Sequence, residues 1–280
     1  MVVWDVHVEL SRKVEVPLKT TVCELPDEAT RMESAWADLV GYLQARPTDI
    51  VVLPEMPFCE WRIFQRQSVD LAEWRAALAA HDVMVPRFAE LESQLVLSSR
   101  PVEVAARRLN QAFSWTRESG YRASRAKFYL PDEPDGWEAT WFDRGDPEFS
   151  PQVAGSVKVG FQLCTELLFS HAAWEIGHQG GQLIAAPRAT GGHRRWSMAA
   201  CLAANMAGCF VASANRRSYD SDSFAGRSWL VSPEGEITLE TSAEAPFLTA
   251  EIDLSAVERA RQTYPRTLNI PMTMRQKGGG

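Results

Sequence analysis

Disulfide and metal chemistry have little material in this 280-residue chain, which holds five cysteines and five histidines. Cys23, Cys59, Cys164, Cys201 and Cys209 include no CxxC spacing, and their odd count suits reduced thiols rather than a disulfide framework. The histidines form no HxxxH or HExxH pair and no Cys–His cluster, so a zinc site is not expected. Basic charge is also in deficit. Lys and Arg number 29 against 36 Asp and Glu, a net charge of −7. A nucleic-acid surface needs a basic face, and the short run His193-Arg194-Arg195 does not supply one. The least polar stretch, Met198 to Ala214, is broken by Asn205 and Gly208, as in a buried helix running into a strand rather than a membrane span. The opening MVVWDVHVELSRK carries charge within its first five residues and lacks the apolar centre of a secretory signal. These absences point to a cytoplasmic protein without membrane, nucleic-acid or metal partners.

What is present is ordinary for a globular chain: 45% apolar and 23% charged residues, with no internal repeat and no long linker. Residues 1–16 form a charged, alternating lead-in, an extension or an extra edge strand. Residues 17–265 read as one domain, and 266–280, ending RQKGGG, as a disordered tail. Within the domain, Leu18 to Leu25 reads as a buried strand. A helix follows to about Arg46, with Met32, Ala35, Trp36, Leu39, Val40 and Leu43 on one face. Asp49 to Leu53 is a second buried strand, closed by Pro54-Glu55. This βαβ order implies parallel neighbours whose carboxyl ends are where ligands bind. A helix over 68–92 and a strand from Gln94 to Ser98 come next. Two strands flanking Arg117-Glu118-Ser119-Gly120 make a hairpin. The Pro-, Asp-, Gly- and Trp-rich segment 131–152 reads as a surface loop of the kind that lies over a site.

The stretch from Ser156 to Pro187 concentrates the chemistry. Val157, Val159, Phe161 and Leu163 alternate with polar or small residues as in a strand, and Cys164 ends that run. Leu167 to about Gln179 takes helical spacing, and Leu183 to Ala186 is a short buried strand. A thiol on a turn that opens a helix has N–H groups and a dipole favouring a thiolate and a developing oxyanion. Taken alone, a cysteine such as Cys164 is more often a small core residue than a nucleophile. Glu55 alone is a capping carboxylate, Lys127 a solvated hairpin lysine, Glu138 a loop acid and Arg188 a loop arginine.

Together, three segments change that weighing: VVLPE ending at Glu55, RAKFYLP around Lys127 and VGFQLCTE around Cys164. Their order, Glu then Lys then Cys, resembles the carbon–nitrogen hydrolase (nitrilase) superfamily. The likeness extends to Glu138-Ala-Thr-Trp-Phe-Asp-Arg-Gly-Asp146, to Ala214-Asn215-Arg216, and to Gly226-Arg-Ser228 with Ser232-Pro-Glu-Gly235. The resemblance implies an α/β fold, a four-layer α-β-β-α sandwich, assembling through its helical face into a homodimer or larger homo-oligomer. It implies a cofactor-free hydrolase acting on a small carboxamide or N-carbamoyl compound, or on a nitrile. In that scheme Cys164 is the nucleophile, Glu55 the proton carrier, and Lys127 with the Thr165 N–H the oxyanion holder. Glu138 orients Lys127 or the substrate. Trp137 and Arg188 are the candidate substrate contacts, Arg188 for a carboxylate.

The chain departs from the family pattern after the nucleophile. Phe169-Ser170-His171-Ala172-Ala173-Trp174 stands where many members carry FPExxR, and Ala203-Ala204-Asn205-Met206 where an Arg-Ala-x-Glu sequence is common. Apolar packing in place of a charged pair is the expectation. Thr165-Glu166 matches neither the amidase nor the nitrilase habit, so amide and nitrile stay open, as do acyl transfer to an amine and a silent binding role.

Overall fold

The computed structural model describes residues 16–134 and 136–268. The expected lead-in, apart from Val16, and the tail beyond 268 lie outside the described residues.

The chain opens with β1 (Leu18–Pro26), α1 (Ala29–Ala45) and β2 (Ile50–Val52). Helix α1 turns Trp36, Leu39 and Leu43 inward at helical spacing. Helix α2 (Leu71–Arg87) starts where the Asp70 carboxylate accepts the N–H groups of Ala72 and Glu73. Strands β3 (Leu95–Val104), β4 (Arg107–Thr116) and β5 (Gly120–Ala126) then form a meander. A four-residue helix, α3 (Glu138–Trp141), precedes β6 (Gln152–Ala154) and β7 (Val157–Phe161). Helix α4 (Ser170–His178), β8 (Leu183–Ala185), α5 (Arg195–Ala207), β9 (Phe210–Ser213) and β10 (Asn215–Arg217) follow. The described chain closes with β11 (Trp229–Val231), β12 (Ile237–Glu240), β13 (Phe247–Ile252) and α6 (Ser255–Arg261).

These strands make two sheets. One runs β10-β1-β2-β3-β4-β5, with β13 antiparallel along the first part of the β1 edge and β10 parallel along the rest. The other runs β12-β11-β9-β8-β7-β6. Period-two alternation decides the layering. Ile50 and Val52 point between the sheets with Val22, Leu95 and Leu97, where they meet Val157, Val159, Phe161, Leu183 and Ala212. Val51 and Leu53 point the other way, against Trp36, Leu39, Leu43 and Met84 of α1 and α2. On the far side, α4 and α5 cover the second sheet through Ala172, Ala173, Ile176, Ala199, Ala203 and Ala207. The result is the expected α-β-β-α sandwich. Helices α4 and α5 touch closely enough that a Cβ on Gly177 would fall 2.1 Å from the Ala207 carbonyl oxygen. Apolar packing thus occupies this contact. No helix among the described residues is long and apolar enough to cross a membrane.

Four local expectations are corrected. Strand β3 does not stop at Ser98 but runs through Pro101 to Val104, pairing with β4 over its full length. The segment 131–152 is not simply a surface loop. It carries α3, and Trp141, Phe142 and Phe149 are buried. Trp141 and Phe142 join Phe64 and Trp74 in a core cluster of their own. Emptying a site such as Trp141 by truncation to Ala costs about 3–5 kcal/mol. The helix expected over 167–179 is divided, with a 3-10 turn (Cys164–Leu168) before α4. Strand β10 and helix α6 come in addition to the expected elements. Only Ala214 separates β9, in one sheet, from β10, in the other.

Candidate active site

The carboxyl ends of β2, β7 and β8 gather at one end of the sandwich, the usual place for a site in such sheets. Glu55 follows β2, Lys127 follows β5, and Cys164 follows β7. The Glu55 backbone is fixed by Arg216, a side chain fully out of solvent. Its guanidinium donates to the carbonyl oxygens of Glu55 at 3.0 Å, Cys59 at 2.7 Å and Met56, and to the Asp27 carboxylate at 2.5 Å. This holds Met56 at φ +40°, a left-handed conformation that a non-glycine residue takes only when its surroundings impose it.

Lys127 is wholly buried between two carboxylates. Its Nζ donates to Glu55 Oε1 at 2.9 Å and to both oxygens of Glu138, at 2.9 and 2.7 Å. Asn110 Nδ2 donates to the same Glu55 oxygen at 2.8 Å, and the Asn110 carbonyl accepts the Lys127 N–H. Glu55 Oε2 is buried with no hydrogen-bond partner among the described residues. The Lys127 carbonyl accepts from the Gly145 N–H at 2.8 Å. A Cβ at Gly145 would lie 2.1 Å from the Ala126 carbonyl oxygen, so only glycine fits there.

Cys164 sits at φ +50° at the start of its 3-10 turn, held by its own N–H to the Pro187 carbonyl at 2.9 Å. Glu166, two residues on and fully buried, locks this turn to the Lys127 segment. It takes Arg125 by both oxygens at 2.5 and 3.0 Å, and also accepts the N–H groups of Phe128 and Leu163. Arg125 further stacks over Phe149, 4.0 Å from its ring centre.

The electrostatics follow from one cation facing two acids. Burial works against the Lys127 charge, but Glu138 and then Glu55 outweigh it and hold the ammonium above its ordinary range. Burial pushes Glu138 up to about 7, against the pull of Lys127 and with help from the Glu55 charge. Burial, and then the Glu55 charge, also push the Cys164 thiol well above its usual value despite Lys127. The expectation of a resting thiolate therefore gives way to a neutral thiol, because a short turn cannot offset complete desolvation.

A cavity of about 370 Å³ opens over these groups. Cys164, Thr165 and Glu138 line it together with Trp61, Tyr129, Phe169 and Trp196, and with the charged Glu133, Arg144 and Arg195 at its margins. The fold therefore brings Glu55, Lys127, Glu138, Cys164 and Thr165 to one place. It does not bring the other two candidates to this wall. Trp137 is half-buried and absent from the lining. Arg188 is buried, and its guanidinium is engaged by Ser213 Oγ, Thr190 Oγ1 and the Arg227 carbonyl. Of the tryptophans near the motifs, Trp61 and Trp196 face the cavity. Trp141 donates to the Arg66 carbonyl in the core, and Trp174 stacks on His178 along α4. Asn110, Arg125 and Glu166 are the participants that sequence reasoning missed. The one available signal was a glutamate placed two residues after the cysteine among apolar neighbours.

The family model described as carbon-nitrogen hydrolase matches residues 19–262. An omega-amidase of Xenopus laevis is 31% identical over 113 residues, 39% of this chain and 41% of that protein. An N-carbamoylputrescine amidase of Arabidopsis thaliana is 25% identical over 158 residues, 49% and 52% respectively. The matched region thus spans about half the length of these curated relatives or less. Among solved structures, a carbon-nitrogen hydrolase from Helicobacter pylori G27 superposes with a TM-score of 0.75 at 21% identity, covering 90% of this chain and 94% of that one. An amidase from Nesterenkonia sp. gives 0.69 at 18%, covering 86% and 92%. At these identities the structural likeness shows the fold.

Proposed function

Because this chain belongs to the carbon–nitrogen hydrolase family, we propose that it is an amidase-type enzyme that hydrolyses a small carboxamide or N-carbamoyl compound through a thioester on Cys164. The observation that carries this reading is the buried ammonium of Lys127, fixed between Glu55 and Glu138 at the cavity holding the Cys164 thiol. The amidase names of the curated relatives favour an amide over a nitrile.

The chemistry follows from what each group can do. As the Cys164 sulfur bonds to the carboxamide carbon, its proton passes to Glu55, whose Oε2 has no competing partner among the described residues. A neutral resting thiol suits this coupling, since the proton leaves only when the new bond forms. The carbonyl oxygen gains charge and is received by the Lys127 ammonium and the Thr165 N–H. Glu55 returns the proton to the nitrogen, the C–N bond breaks and ammonia departs. Water then enters with Glu55 as base, and thioester cleavage releases the acid and restores the thiol. Glu138 has both oxygens on Lys127 and keeps the ammonium in place. The protein acts as a cytoplasmic homo-oligomer in this proposal. Its assembly face is the α4–α5 side, where Met198 and Leu202 stand one helical turn apart and largely exposed.

The test is product analysis on a panel of carboxamides, N-carbamoyl compounds and nitriles. Ammonia release with an acid product from carboxamides is expected, with a thiol alkylator abolishing turnover by labelling Cys164. Turnover of nitriles alone would replace the amidase reading, and full activity with Cys164 alkylated would end it.

A further inference from the structure

The loop after β8 serves two cavities. Ala189 and Thr190 face the Cys164 cavity, while Gly191, Gly192, His193 and Arg194 line a second one of about 350 Å³, together with Arg188, Arg227, Trp229 and Glu240. The charge in this second space is unbalanced. Among the described residues Glu240 is its single lining carboxylate, and Arg227 already holds it at 2.5 Å. Arg194 has no side-chain partner among the described residues, and Arg188, 1% exposed, has no carboxylate partner. A buried cation without a counter-charge is costly, and native proteins pair such groups. A guanidinium carries five N–H groups. Three of those on Arg188 meet neutral acceptors (Ser213, Thr190 and the Arg227 carbonyl), and the remaining two have no acceptor among the described residues.

A second observation points the same way. Trp229, whose ring lies 3.8 Å from the Arg188 guanidinium, is 5% exposed, and its indole N–H has no acceptor among the described residues. His193 uses Nδ1 to accept the Arg195 N–H, which leaves Nε2 as the donating nitrogen. Ser197, in the first turn of the thirteen-residue α5, also lines the cavity, and Ala225, Gly226 and Ile237 supply the rest of its wall. The polar part of the wall thus carries donors and surplus positive charge, and what it lacks is a compact, multiply charged acceptor. Arginine forks beside a helix N-terminus select tetrahedral oxyanions.

We infer that this cavity binds a phosphate group, either inorganic phosphate or a phosphate monoester whose organic part fills the remaining space. The loop it would order also supplies Ala189 and Thr190 to the neighbouring cavity, so the two sites share a wall.

The experiment is isothermal titration of the full chain with inorganic phosphate and, separately, with glycerol 3-phosphate, at ionic strength matched with chloride. Saturable binding is expected. The double variant Arg194→Gln, Arg227→Gln spares the buried Arg188 and should bind at least tenfold more weakly, with an unchanged circular dichroism spectrum. Tighter binding of the monoester assigns the spare volume to an organic group, and equal binding assigns the site to the inorganic ion. Arg195→Gln, on the wall of the Cys164 cavity, should bind phosphate as the parent does. Absence of saturable binding would overturn the inference. So would equal affinity in the double variant (an adventitious ion only) or loss confined to Arg195→Gln.

Discussion

Two buried ionic clusters lie side by side at the end of this sandwich, built from neighbouring residues and unlike in one respect. In the Glu166–Arg125 pair the charges balance, and both glutamate oxygens are taken by the guanidinium and by two backbone N–H groups. In the Lys127 cluster two carboxylates share one ammonium, and one oxygen of Glu55 has no partner among the described residues. The saturated cluster has nothing left to offer a ligand. The unsaturated one keeps an acceptor and an excess of negative charge next to a thiol. Burial alone does not separate structural from chemical charge; the leftover valence does.

The sharpest way to test that contrast is to remove chemistry from the unsaturated side. Cys164→Ala is expected to lower turnover by about 10⁴-fold or more, since removing one member of a unit disables it, while the variant keeps its thermal midpoint within a few degrees. Glu55→Gln should lower turnover by about 10²–10⁴-fold, the usual share of a general base. Because it removes the base for the water step, intact mass should show any adduct formed from a carboxamide confined to Cys164. An active Glu55→Gln enzyme would mean the free oxygen is idle.

The saturated side should respond in stability. Glu166→Ala strands a guanidinium whose side chain is 8% exposed and frees two N–H groups, and is expected to destabilise the fold by about 3–5 kcal/mol. Chemical denaturation measures this. Turnover per folded molecule should fall much less than in Glu55→Gln. The reverse pattern, a stable but inactive Glu166→Ala, would erase the distinction between the clusters.

How much of this was legible beforehand depends on whether a residue's role is fixed locally. The alternation in β7 and the βαβ order through β1, α1 and β2 are set by period and spacing, and they placed Glu55 and Cys164 at strand ends. Strand β3 was cut short because Pro101 reads as a breaker. It is tolerated because β2 pairs β3 only at Leu95 to Leu97, leaving one side of the later strand free of a ladder. Its turn, at Ala105 and Ala106 with φ of +50° and +63°, uses no glycine or asparagine and so carried no hairpin signal. Strand β10 hides for another reason. Asn215 and Arg216 are polar yet wholly buried, satisfied by partners distant in sequence such as Thr190, Gly226 and Glu55. The direction of the Arg188 side chain likewise depends on Trp229 and Ser213, which no local pattern connects to it.

The smallest expected effect is a pH dependence, and it bears directly on the excess charge. One ammonium compensates one of its two carboxylates, so the folded protein holds a proton on this cluster to higher pH than the unfolded chain does. Glu138 is pushed up to about 7 from an ordinary value of 4.5. Between those values the native state binds more protons than the unfolded state, so the stability contribution of this group is full below about 4.5. It declines as pH rises towards 7 and is flat above. Glu138→Gln cannot ionise and should lack that decline. Denaturation midpoints of both proteins from pH 4.5 to 8 therefore should differ in slope within this window and run parallel above it. The Glu166→Gln variant offers the contrast, because it weakens the bidentate contact with Arg125 and leaves Glu138 and Lys127 untouched. Its midpoint should lie below the parent's while keeping the parent's decline between pH 4.5 and 7. Parallel curves for Glu138→Gln and the parent across the whole range would mean that Lys127 neutralises both of its partners, and the two clusters would then differ in their free valence alone.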